Sequence, residues 1–241
     1  MYRKTEKSSS TILKLMAALA LTLGLAVYAQ ETEIPTGQNP HPDEGECHLV
    51  DATFDGDVAL AENQACVFEN VTVNGNLILA PGSSVVADGG SVDGNVLVFL
   101  SAVLEANGLT VTGNVQAQSA EIVRLFENTV AGNVQSTDAN LLVVQGGTVD
   151  GNIQPADGGS VEVSGVTVDG NVQVDGNIGI IKVNGNVVDG DIQVTGTAGN
   201  AAISDNQVEG NLQCESNFPA PGGSSNVVQG EAEGQCSGLI G

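Results

Sequence analysis

Thr167-Val168-Asp169-Gly170-Asn171-Val172-Gln173 is the phrase from which the fold can be read. Its central glycine recurs at 56, 75, 94, 113, 132, 151, 170, 190, 210 and 230, six steps of 19 residues followed by three of 20. A fixed period of this length means stacked, self-similar units. Two residues before the glycine the chain is apolar in every repeat, from Phe54, Val73 and Val92 to Val188, Val208 and Val228. Two residues after it come Val58, Leu77, Val96, Val115, Val134, Ile153, Val172, Ile192 and Leu212. A third alternating run supplies pairs such as Leu104 and Ala106, Val123 and Leu125, Leu142 and Val144, Val161 and Val163. Apolar residues at every second position mark strands rather than helices.

Strands this short cannot bury a face alone. Coiled three to a turn and stacked, each gains a parallel neighbour about 4.8 Å away, and the inward valines and isoleucines fill a thin core. The sequence therefore predicts an all-β chain: a single-stranded parallel β-helix, or β-solenoid, with three short strands per coil and about ten coils. Ten coils at that spacing make a body on the order of 50 Å long. The extra residue of the first 20-residue step is expected in the turn before Ile181, because Ile181 and Val183 keep the inward alternation.

The Gly-Asn pair marks a sharp corner between two inward valines. A corner of this kind predicts glycine at positive φ, which it tolerates without strain, and asparagine, which tolerates the same region better than most residues. Asn76, Asn95, Asn114, Asn133, Asn152 and Asn171 form an unbroken column whose amides can bond from rung to rung. Over residues 47–236 the sequence resembles the parallel β-helix superfamily, in which asparagine ladders line a corner of the coil. The Ile/Val-x-Gly-x-Val rhythm is also similar to that of bactofilin-type polymer-forming proteins, a resemblance that implies self-association as a candidate property.

The repeat does not extend to the N-terminus. Arg3, Lys4, Lys7 and Lys14 precede an apolar run from Leu15 to Val27, and Val27-Tyr28-Ala29 fits a small-residue cleavage site. Residues 1–29 are read as a secretory signal peptide, with an uncleaved N-terminal anchor as the alternative. The apolar run falls short of the roughly 20 residues that span a bilayer, so no membrane span is expected in the mature chain. Residues 30–46 form a Pro- and acid-rich leader, and 47–241 the β-helix. Cleavage leaves Arg124 and Lys182 as the only Lys or Arg residues against 28 acidic ones. A surface of that sign repels nucleic acid, whose binding rests on cations neutralising phosphates. It suits cations, cationic polymers or a saline medium.

Four cysteines in an exported chain imply two disulfides. Cys47 and Cys66 lie one repeat apart, and Cys214 and Cys236 fall in the last two repeats, so each pair is expected to staple one end of the stack. A metal site from the same cysteines is the alternative, disfavoured because no Cys-x-x-Cys spacing exists.

Outward columns are where a function would sit. Thr53, Thr72, Ser91, Thr110, Thr129, Thr148 and Thr167 form a hydroxyl ladder. It resembles the threonine arrays of ice-binding solenoids, although those carry two threonine columns and here Thr110 and Thr112 alone satisfy Thr-x-Thr. Exposed strands favour threonine for ordinary reasons too. Asp150, Asp169 and Asp189 occupy consecutive rungs of the neighbouring column. Stacked like charges call for screening or a bridging cation, and calcium fits oxygen ligands. Turn-capping by each aspartate is the simpler account. No cofactor is otherwise required.

Gln116, Gln135, Gln154, Gln173, Gln193 and Gln213 form a glutamine column that either braces the stack or offers a polar face to a glycan. A polysaccharide-active enzyme of the β-helix lyase kind needs a base. Arg124 and Lys182 are the candidates, and each falls one repeat above a glutamate, Glu105 and Glu162, as an ion pair would. The sequence thus leads to a non-enzymatic, secreted or envelope-located solenoid with a structural, adhesive or surface-binding role. Surface polymer, glycan and a second copy are the candidate partners, and ice binding and polysaccharide chemistry the alternative functions.

Overall fold

The computed structural model describes residues 47–241, and the expected signal peptide (1–29) and leader (30–46) lie outside the described residues. The described chain is a parallel β-solenoid of three sheets and about ten turns. One turn runs from Val103–Asn107 through Thr110–Val111 to Val115–Gln118 before the next begins at Ile122. The five-residue strands stack into a broad sheet of nine, the two-residue Thr-Val strands into a narrow sheet of ten, and the glutamine-bearing strands into a third sheet of ten. Every pairing between successive turns is parallel and joins equivalent residues, such as Leu104 with Val123 and then Leu142.

Alternation decides which side chains enter. Val134, Ile153, Val172 and Ile192 form one inward column and are fully shielded from solvent. Each buried Val, Leu or Ile contributes roughly 1.5–3 kcal/mol. Among the described residues the buried side chains form one core cluster along the inside of the coil. The expected extra residue lies in the turn between Val172–Asp175 and Ile181–Asn184.

The corner glycines depart from expectation. None from Gly75 to Gly230 adopts positive φ. Close stacking is the reason for glycine instead: a Cβ on Gly132 would lie 2.6 Å from the Gly113 carbonyl oxygen and 2.6 Å from Asn114 Oδ1. Positive φ belongs to a different corner, immediately after each broad strand. Asp51, Asn70, Gly89, Gly108, Glu127, Gly146, Gly165, Gly185 and Asp205 occupy it on consecutive rungs, with φ between 50° and 67°.

Both ends are stapled as the spacing predicts. Cys47 bonds to Cys66 across the first two rungs, and Cys214 bonds to Cys236 at the other end. Beyond the last rung Cys236 and Leu239 are buried, and Asn226 Nδ2 donates to the Leu239 carbonyl at 2.8 Å. Among the described residues, no helix is long and apolar enough to cross a membrane.

Candidate functional site

The asparagine column is a working ladder. At each rung the backbone N–H and Nδ2 of one asparagine both donate to Oδ1 of the asparagine below: Asn114 to Asn95 at 2.9 and 3.0 Å, Asn133 to Asn114 at 2.8 and 3.1 Å. The series starts on Asp57, whose Oδ1 accepts both bonds from Asn76. A carboxylate suits that first position because it accepts and leaves no donor idle. Farther along, Asp191 takes the same place, accepting from the N–H of Asn211.

The glutamine column is a second ladder, with one bond per rung. Gln116 Nε2 donates to Gln135 Oε1 at 3.0 Å, and the chain continues through Gln154, Gln173 and Gln193 to Gln213. Gln213 donates to the Glu233 carboxylate at 3.1 Å, an acceptor-only terminus again. At the starting end Gln116 Oε1 is buried and has no partner, because the residue paired below it is Leu97.

Further ladders lie inside the coil. Asn186, Asn206 and Asn226 are buried at 0%, 0% and 2% exposure on successive rungs. Asn186 Nδ2 donates to Asn206 Oδ1 and Asn206 Nδ2 to Asn226 Oδ1, at 2.9 and 2.8 Å, while each also donates to a backbone carbonyl of the preceding turn, Val163 and Val183 respectively. Thr197 donates to Asn217 Oδ1 at 2.8 Å in a parallel arrangement at another corner. These interior amides escaped the reading of the repeat, although three asparagines at 20-residue steps are visible in the sequence.

On the narrow sheet, Thr110, Thr129, Thr148 and Thr167 pair rung to rung and point to solvent, with Thr53 exposed and Thr72 and Ser91 half-buried below them. Val187, Gln207 and Val227 continue the column, so the hydroxyl face ends at Thr167. Asp150, Asp169 and Asp189 are exposed beside it, one per rung. Lower in that column the acid is paired rather than stacked, with Asn74 Nδ2 donating to Asp55 at 2.9 Å. Among the described residues no three His, Cys, Asp or Glu side chains converge to hold a metal ion. Were calcium to bind here, the carboxylates of Asp150, Asp169 and Asp189 would be the groups to hold it.

The broad sheet holds both Lys and Arg side chains of the described residues, Arg124 and Lys182. Arg124 pairs with Glu105, and Lys182 Nζ lies 3.4 Å from Glu162, each one rung above its glutamate as the spacing predicts. His48 Nε2 makes a hydrogen bond with Glu69 Oε1 on the next rung at 2.9 Å. Exposed pairs contribute about 0–1 kcal/mol each. In comparisons with protein-family models, curated proteins and solved structures, no match to this chain was found.

Proposed function

We propose that this is a secreted, bacterial-type β-solenoid whose role is structural, adhesive or surface-binding rather than catalytic. One observation carries the reading: the polar side chains along the coil bond to their own equivalents on the next rung, which is the chemistry of a scaffold presenting regular faces. Arg124 and Lys182 are engaged with glutamates in the same way. Two disulfides are compatible with an oxidising, extracytoplasmic compartment.

Cosedimentation of the purified chain with envelopes or insoluble glycans of the producing cell is the expected positive result. A hydrolase or lyase activity of the chain that disappears in Arg124→Ala would contradict the proposal and favour the polysaccharide-active alternative. Calcium, bound across Asp150, Asp169 and Asp189, raises the melting temperature in proportion to its occupancy of the folded state, and chelator reverses the rise. An unchanged melting temperature removes calcium from the account.

The exposed hydroxyl column supports ice binding as the second reading. Thermal hysteresis that is abolished by Thr148→Tyr would place it first, and an absence of hysteresis would end it.

A further inference from the structure

The outward face of the broad sheet carries a central column that reads, rung by rung, His48, Val67, Val86, Glu105, Arg124, Val143, Glu162, Lys182 and Ala202. Val143 is central to the seven rungs from Val86 to Ala202, between the core residues Leu142 and Val144 and therefore on the opposite side of the strand. Its neighbours already reduce it to 9% exposure. Arg124 and Lys182, side chains 31% and 48% exposed, are the only Lys or Arg residues from 47 to 241, a stretch with 23 Asp and Glu. Both fall on this one face. Val103, Ile122 and Leu141 line one side of the column and Phe126 the other, all half-buried. An acidic molecule has gathered its cations and an outward apolar cluster on the same sheet.

The order of the column is self-complementary. A two-fold axis lying along the Val143 strand turns a second copy so that the rods run antiparallel. Rung by rung, Val143 then faces Val143, and Arg124 faces Glu162 of the second copy. Glu105 faces its Lys182, and Val86 faces its Ala202. The symmetry doubles each of the two charge pairs. The edges agree: the rung carrying Asp88 meets the one carrying Ser204, and Phe126 meets Ser164. A two-fold along the rod would instead set Glu105 on Glu105 and Arg124 on Arg124, and like charges across an interface are strongly disfavoured.

We infer that this face is an isologous homodimer interface, with two copies packed broad sheet to broad sheet and antiparallel. Five-residue strands over seven rungs offer roughly 550 Å² per copy. The total of about 1,100 Å² is at the low end for a specific complex, so the dimer is weak and forms with concentration. The interface stands on the chemistry of the face alone and does not depend on the scaffold role.

Sedimentation equilibrium of the full chain over a wide concentration range tests it. The expected result is a monomer–dimer equilibrium that Arg124→Glu weakens tenfold or more, because Glu would then face Glu162 twice. Adding Glu162→Arg to that variant restores the dimer, with folding of each variant checked by thermal melting. Should Arg124→Glu fail to fold, Lys182→Glu sets the same repulsion against Glu105. A monomer at every concentration, or a dimer indifferent to both charge reversals, overturns the inference. A monomer that still cosediments with envelopes would leave the proposed function standing.

Discussion

At the corner between the narrow and glutamine sheets, a single methyl group decides whether two turns can stack. Gly132 passes the turn below so closely that a Cβ would meet the Gly113 carbonyl at 2.6 Å, backbone that cannot step aside. Gly132→Ala should therefore cost about 1–3 kcal/mol, as overpacking does. Glu127 is the opposite case. It holds φ 53° at a corner where most other rungs carry Gly, Asp or Asn, a conformation that costs an ordinary L-residue roughly 1–2 kcal/mol. Glu127→Asn should recover about half to one kcal/mol. Thermal or urea denaturation of the two variants reads both signs, and equal effects would show that the two corners are not distinguished as described.

These two corners also show where the sequence was silent. The Gly column at 19-residue spacing was plain, but one letter serves two physical needs, absence of a side chain and freedom at positive φ. The glycine column by itself does not separate them. The positive-φ column could have been found from its mixture of Asp, Asn and Gly, which share that freedom and little else.

Within elements, the ladders behave as directional chains with chemically distinct ends. Gln116 Oε1 is the loose end, facing Leu97 without a donor. Leu97→Gln should supply that donor and add about 1 kcal/mol. Gln154→Leu, in mid-ladder, strands the Gln135 amide and the Gln173 carbonyl and should cost about 1–3 kcal/mol. Melting temperatures moving in opposite directions would support a hydrogen-bonded column; both falling alike would reduce it to simple packing. Strand order, register and core columns were legible because a period of 19 forces equivalent residues together. The ladder polarity was not, since it depends on which terminal residue lacks a donor. The interior asparagines at 186, 206 and 226 were hidden by the apolar rule itself, which expects valine or leucine at inward positions.

Across the whole molecule, each turn touches only its neighbours, so stability is a sum of rungs and interfaces and the ends open first. The disulfides close loops of 19 and 22 residues there. Each is worth about 3 kcal/mol in a chain-entropy account. Reduction should accelerate amide hydrogen exchange in the first and last two turns while leaving the turns around Val134 and Ile153 protected. Uniform loss of protection would mean that the stack unfolds as one unit. The faces that would meet partners were legible as columns, because period 19 aligns them. Their pairing across a two-fold was not, because it depends on which columns share a sheet.

The proposed role places this solenoid outside the cytoplasm as a disulfide-stapled scaffold. Intact-mass spectrometry of the chain recovered from fractions of the producing cell tests it most directly. The expected result is an extracytoplasmic chain that begins at Gln30 and has all four cysteines oxidised. A cytoplasmic chain that retains Met1 and carries reduced cysteines would contradict it.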